Sequence, residues 1–168
     1  VKRIKISSGC IGDDALLAKA GGTFLPVIMS TGMATNEEID EALDCLGVSE
    51  SNVTLLQCTS IYPCPPNAVN LAAMMDMGLW SGSEVGLSDH TTTISIPIAA
   101  TALGATVIEK HLTLDRNADG PDHKASIEPD QFKQMVQGIR EVEQALGDGI
   151  KRVQPGEQAL REIWHARK

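Results

Sequence analysis

Short runs of β-branched and aliphatic residues recur along the chain at 4–7, 26–30, 53–58, 84–87 and 106–110. Their apolar residues are consecutive rather than strictly alternating, which is the pattern of a strand covered on both faces. Between them lie segments whose apolar residues fall three and four apart. The clearest puts Ile39, Ala42, Leu43 and Leu46 on one stripe, opens on the capping box Thr35-x-x-Glu38 and stops at Gly47, so a helix is predicted there. Helices are also predicted at 13–20, ended by Gly21-Gly22, at 67–77, ended by Gly78, and at 93–103, ended by Gly104. The longest covers 129–146, with Pro129 in its first turn and Phe132, Met135, Val136, Ile139, Val142 and Leu146 along one face. A last helix at 157–167 aligns Leu160, Ile163 and Trp164.

Successive strands start 22 to 31 residues apart, the length of one strand, one helix and two loops. Repetition of that βα unit means a parallel sheet, either open and doubly wound or closed into a barrel. The strand ends decide between them. Each finishes in a polar cluster: Ser7-Ser8-Gly9, Ser30-Thr31-Gly32, Cys58-Thr59-Ser60, Ser88-Asp89-His90 and Glu109-Lys110-His111. An open sheet concentrates polar groups at one switch point, whereas a barrel gathers every strand end around one mouth. The expected fold is therefore α/β, a partial (β/α)8 TIM barrel of about five βα units over 1–150, with 151–168 a terminal helix or linker. Five units cannot close eight strands and residue 1 is not Met, so a fragment or internal portion of a longer protein is expected.

Composition narrows the function. At 168 residues, 42% hydrophobic, the chain can bury one sizeable core, and a formal net charge of −8 argues against broad contact with nucleic acid or an anionic membrane surface. The five aromatic residues Phe24, Tyr62, Trp80, Phe132 and Trp164 give no base-stacking platform. No apolar run approaches the roughly 20 residues of a membrane span, and the first residues lack a signal-peptide pattern, so a cytoplasmic protein is expected. Cys10, Cys45, Cys58 and Cys64 show no Cys-x-x-Cys spacing and read as free thiols.

The candidate chemistry sits on the strand ends. His90 and His111 finish neighbouring strands, and two imidazoles with open positions make a Lewis-acid site for a divalent cation. Asp89 and Glu109 are candidate ligands or orienting acceptors. The alternative is that an imidazole simply hydrogen-bonds strand-end backbone. Lys5, Ser8, Ser30, Thr31, Thr59, Ser60 and Ser88 offer one ammonium and several hydroxyls beside small residues, which is phosphate-binding chemistry. A lysine inside a buried strand needs an anion, so Lys5 is a phosphate ligand, half of an internal ion pair, or an edge residue with its head in solvent. Strand alternation turns Lys110 away from Glu109 and His111, which makes it structural. The polar loop 115–124 carries Asp122 and His123, acid/base candidates or else turn formers.

Taken in order, Ser30-Thr31-Gly32-Met33-Ala34-Thr35, Cys58-Thr59-Ser60-Ile61-Tyr62-Pro63, Gly86-Leu87-Ser88-Asp89-His90-Thr91, Val107-Ile108-Glu109-Lys110-His111 and Gly120-Pro121-Asp122-His123-Lys124-Ala125-Ser126 resemble the sialic acid synthase family, with its N-acetylneuraminate, legionaminic and pseudaminic acid synthases. The resemblance covers nearly the whole chain and implies strands four to eight of a TIM barrel. It implies condensation of phosphoenolpyruvate with an open-chain N-acetylated amino sugar such as N-acetylmannosamine, giving a nine-carbon 2-keto acid and phosphate with Mn2+ or Mg2+. On this resemblance His90 and His111 are the metal ligands, Lys5, Ser8, Ser30, Ser60 and Ser88 hold phosphoenolpyruvate, Tyr62 and Asp122 face the sugar or the metal, and Glu109 supports the catalytic site. Cys10 departs from the family, which commonly has an acidic residue there. The family's first-strand glutamate, its second-strand lysine and its antifreeze-like domain, which lends an arginine to the neighbouring subunit of a homodimer, fall outside this chain, and 154–168 resembles the start of the linker to that domain. Two alternatives stay open: a related synthase with another amino sugar, and a catalytically incomplete barrel that binds a phosphorylated ligand.

Overall fold

The computed structural model describes residues 1–166. Its elements alternate as strand β1 (Ile4–Ile6), helix α1 (Asp14–Gly21), β2 (Val27–Ser30), α2 (Asn36–Leu46), β3 (Val53–Cys58), α3 (Leu71–Ser81), β4 (Glu84–Asp89), α4 (Ser95–Ala102), β5 (Val107–Lys110), α5 (Pro129–Leu146) and α6 (Gln158–His165), with short 3-10 turns between them. The five strands are parallel and lie in sequence order, β1-β2-β3-β4-β5. Because no strand returns to the far side of an earlier one, there is no switch point, and the doubly wound alternative is ruled out.

The sheet is also strongly curved. Four interstrand gaps at about 4.8 Å would separate β1 from β5 by roughly 19 Å on a flat sheet, beyond the reach of two extended side chains. Yet Lys5 Nζ on β1 lies 3.1 Å from Glu109 Oε2 on β5. The architecture is thus an α/β half-barrel, with one concave face carrying Lys5, Ser30, Cys58, Ser88 and Glu109. The convex face is apolar: Ile6, Val27, Met29, Val53 and Leu55 pack with Leu17 of α1, Ile39, Ala42 and Leu46 of α2, and Met77 of α3. A smaller group, Cys64, Val69, Met74, Leu87 and Ala100, continues that layer under α3 and α4.

Local chemistry sets the helix ends where the sequence carries caps. Thr35 Oγ1 accepts from the Glu38 amide at 3.3 Å, Glu38 Oε2 accepts from the Thr35 amide at 2.7 Å, and Gly47 closes α2 in the left-handed conformation at φ 60°. Pro129 occupies the first turn of α5, which spans the predicted 129–146. Here α3 departs from expectation. It begins at Leu71 and runs through Gly78 to Ser81, ending at Gly82 with φ 71°. A Cβ at Gly78 would meet Val85 Cγ1 at 2.9 Å, so this glycine lets the helix lie close on β4 rather than ending it. β4 extends two residues past the predicted end, to Asp89. The last predicted helix spans Gln158–His165, and Arg167 at its predicted end lies outside the described residues. No helix among the described residues is long and apolar enough to cross a membrane.

Candidate active site

The C-terminal ends of the strands surround a cavity of about 430 Å³. Lys5, Ser8, Ser30 and Ser60 come to it from the ends of β1, β2 and β3, and Tyr62, Ser88, His90, Glu109 and His111 complete it from the β4 and β5 side. Period-two alternation along each strand explains the selection: on β4 Ser88 faces the cavity while Leu87 and Asp89 face the helices.

One half of the site is a pair of rings. The imidazoles of His90 and His111 have centroids 5.3 Å apart, and the Tyr62 ring lies 4.0 Å from His90 and 5.7 Å from His111. His90 Nδ1 lies 2.8 Å from the carbonyl oxygen of Thr59. A carbonyl can only accept, so Nδ1 carries the proton and Nε2 keeps its lone pair. Burial lowers the pKa of His90, and the nearby His111 adds to that against the opposing pull of the Thr59 carbonyl, Asp89 and Glu109. The neutral imidazole, the form that binds a metal, is therefore favoured. Burial likewise pushes the Tyr62 hydroxyl up, helped by Cys58, Asp122 and Glu109.

The other half is an anion cradle. Glu109 accepts from Ser88 Oγ at 2.6 Å and Ser30 Oγ at 3.2 Å, and its second oxygen faces Lys5 Nζ. Burial would raise the pKa of this carboxyl, but the Ser88 hydroxyl, the Lys5 ammonium and the Ser30 hydroxyl outweigh it and hold Glu109 below the usual carboxylate range. An ammonium and two hydroxyls from three strands thus converge on one negative group. Beside them Ser8 Oγ accepts from the Gly32 amide at 2.9 Å. A Cβ at Gly32 would stand 2.4 Å from Ser60 Oγ and 3.0 Å from Ser8 Oγ, so only glycine leaves both hydroxyls in place.

Several expectations need correction. Asp89 neither faces the cavity nor orients an imidazole: it lies on the opposite face, 2.6 Å from Lys110 Nζ, and the acceptor for His90 is the Thr59 backbone. Lys110 is structural, as its alternation indicated. Thr31 and Thr59 spend their hydroxyls on the carbonyls of Leu56 and Ala68, at 2.9 and 2.8 Å, and are not free for phosphate. Asp122 is exposed and is not among the cavity's lining residues, although its charge reaches Tyr62. His123 fixes the loop instead, with Nδ1 2.7 Å from Thr113 Oγ1. Cys10 lies outside the cavity lining, with its thiol 3.2 Å from Ser7 Oγ. Four further lining residues, Ser7, Gly9, Met33 and Cys58, stand in strand-end clusters or motifs of the sequence without being among its site candidates; Met33, left-handed at φ 69° and largely exposed, carries no polar group that would single it out.

No group of three or more His, Cys, Asp or Glu side chains suited to a metal occurs among the described residues. The candidate cation donors at the cavity are the imidazoles of His90 and His111. They fit a divalent ion chemically, since His90 is held as the neutral tautomer with Nε2 free and both rings stand at one wall of the cavity.

Fold and site together define a barrel-type α/β protein whose polar strand ends form a single cleft, the usual place of the active site in such folds. Residues 1–151 match the NeuB family, and the chain belongs to it. It is 49% identical over 161 residues to the N,N'-diacetyllegionaminic acid synthase of Campylobacter jejuni, covering 94% of this chain and 48% of that protein. It is 37% identical over 159 residues to the N-acetylneuraminate-9-phosphate synthase of Homo sapiens, covering 94% and 44%. Among solved structures, the N-acetylneuraminic acid synthetase of Leptospira borgpetersenii matches with a TM-score of 0.87 at 35% identity, over 99% of this chain and 58% of that one. The chain spans about half the length of the curated relatives it matches.

Proposed function

We propose that the protein of which this chain forms part condenses phosphoenolpyruvate with an N-acetylated amino sugar and one water, giving a nine-carbon 2-keto sugar acid and inorganic phosphate. The observation that carries the reading is the convergence of Lys5, Ser30 and Ser88 on one carboxylate beside the imidazole pair. Three donors that already surround a negative group suit the phosphate and carboxylate of an enol ester. Membership of the NeuB family, whose relatives above are sugar acid synthases by name, supports it.

Lys5 and the serines orient the enol ester so that its terminal carbon faces the wall formed by His90, His111 and Tyr62. With Mn2+ or Mg2+ held by the two imidazoles, the site gains a Lewis acid able to polarise the sugar aldehyde. Tyr62 supplies a flat apolar surface with a hydroxyl at its tip for the sugar chain. Glu109 occupies the Lys5, Ser30 and Ser88 donors for which the substrate anion competes.

The test is phosphate release by the full-length protein with manganese, phosphoenolpyruvate and N-acetylmannosamine, run beside other N-acetylated amino sugars. His90→Ala and His111→Ala should each abolish turnover, and Lys5→Met should raise the phosphoenolpyruvate concentration needed for half-maximal rate. Turnover that survives loss of both histidines rejects the metal role. Binding of phosphoenolpyruvate without turnover on any amino sugar favours a ligand-binding module instead.

A further inference from the structure

The ladder between β4 and β5 ends at the pair Asp89↔Lys110. His90 and His111 follow at once, beyond that last rung. The backbone hydrogen bonds they do make tie each to a different neighbour, since the His90 carbonyl accepts from the Cys64 amide and the His111 carbonyl from the Ile127 amide, at 2.9 and 3.0 Å. The last rung of the ladder thus stops one residue short of each ring, and a side chain adds a further tie at that point.

On the face away from the cavity, Lys110 Nζ lies 2.6 Å from Asp89 Oδ2, contacts the carbonyl oxygen of Thr91, and lies 3.4 Å from Thr91 Oγ1. The ammonium thus holds the residues on both sides of His90, while its own main chain leads directly into His111. Asp89 closes the cluster by accepting from the Thr91 amide at 2.8 Å and from Thr91 Oγ1 at 3.1 Å. The Lys110 and Asp89 side chains are 1% and 0% exposed, and Thr91 is wholly buried. Stability is a poor reason for such a pair. Desolvating two charges offsets most of their attraction, and apolar replacements of similar volume are often neutral or stabilising. A cluster of charge-assisted hydrogen bonds does, however, fix geometry in a way that apolar contacts do not.

We infer that Asp89, Lys110 and Thr91 are positioning residues that fix the spacing and tilt of the His90 and His111 imidazoles from behind the sheet. The inference rests on the reading that those imidazoles hold a divalent cation. It assigns the cluster no contact with substrate, and it makes cation affinity depend on groups that the cation never touches.

The experiment is a Mn2+ titration of the full-length protein, followed through the electron paramagnetic resonance signal of the free ion, with the visible spectrum of the Co2+ form as a readout of ligand geometry. The paired replacement Asp89→Leu with Lys110→Met should lower its thermal midpoint, since the buried Thr91 amide and carbonyl lose their partners, while binding Mn2+ at least tenfold more weakly and altering the Co2+ bands. Val85→Ala, a core truncation away from the site, should lower the midpoint and leave Mn2+ affinity unchanged. Mn2+ affinity within twofold of wild type in the paired variant overturns the inference, as does an equal loss in Val85→Ala. If the paired variant does not fold, Thr91→Val decides, because it keeps the ion pair and deletes only the hydroxyl: a severalfold loss of Mn2+ affinity supports the inference, and unchanged affinity overturns it. Wild-type protein that binds no Mn2+, or binding unaffected by His90→Ala and His111→Ala, removes the cation reading itself and the inference with it.

Discussion

Glu109→Gln separates two roles of one carboxylate. Glu109 now occupies the donors that a substrate anion would want, Lys5 Nζ at 3.1 Å, Ser88 Oγ at 2.6 Å and Ser30 Oγ at 3.2 Å. Glutamine keeps the shape and still accepts through its amide oxygen, but it removes the charge. An anion seated on the far side of the Lys5 ammonium would lie about 6 Å from the Glu109 carboxylate, where two unit charges repel by roughly 3 kcal/mol at an effective dielectric of about 20. Lys5 and Glu109 side chains are 35% and 39% exposed, so solvent screening reduces this. About 1–2 kcal/mol remains, or roughly five- to thirtyfold in affinity. The variant should therefore bind phosphoenolpyruvate and inorganic phosphate more tightly by that factor, with Lys5→Met as the opposite control, and should lose about 1 kcal/mol or less of stability because the ion pair is solvated. Isothermal titration of the full-length protein at constant ionic strength measures it. Weaker phosphate binding by Glu109→Gln would show that the carboxylate organises the cradle rather than occupying it, and would refute the argument.

Acid should destabilise the chelator-treated protein in two stages. Burial and the neighbouring His111 lower the His90 pKa, so as pH falls below the ordinary value of 6.5 the unfolded imidazole takes a proton that the folded one resists, and stability declines. Glu109, held low by Ser88, Lys5 and Ser30 against its burial, adds a further loss below 4.5. Thermal midpoints measured from pH 8 to pH 3 should show both stages in wild type, and His90→Gln should flatten the first; an unchanged upper slope would discount His90. Leu56→Ala, at a wholly buried strand position, should cost about 2–5 kcal/mol in denaturant unfolding, and a loss under 1 kcal/mol would mean that the concave face is looser than its packing indicates.

The parts of the fold legible in the sequence are those with local causes. Helix α2 carries its own start and stop in Thr35, Glu38 and Gly47, and α5 carries Pro129, so their bounds follow from neighbouring residues. Gly78 misled because its cause is tertiary: the glycine is demanded by Val85 on a strand seven residues later, and no local pattern distinguishes that from a helix stop. The site was legible to the same depth. Strand-end position and alternation bring nine of its residues to one cavity, but the acceptor for His90 is a backbone carbonyl, which every residue possesses and no sequence advertises. Alternation placed Lys110 correctly on the outer face; applied with equal rigour to its register partner, it would have placed Asp89 there too.

That shared register joins function to folding. On β4, Leu87 and Asp89 face the helices while Ser88 faces the cavity and His90 follows it there. A slip of one residue would turn Leu87 and Asp89 into the cleft and press Ser88 and His90 into the layer that holds Met74 and Ala100. It would also leave Lys110 on β5 with no carboxylate partner, a buried ammonium left uncompensated. The apolar residues alone specify the register through the core they fill, and the Asp89–Lys110 pair specifies it again through charge. Because Ser88 and Glu109 occupy the intervening positions of these two strands and His90 and His111 follow at their ends, the contacts that reject the slipped register also keep these four side chains pointing at the cavity.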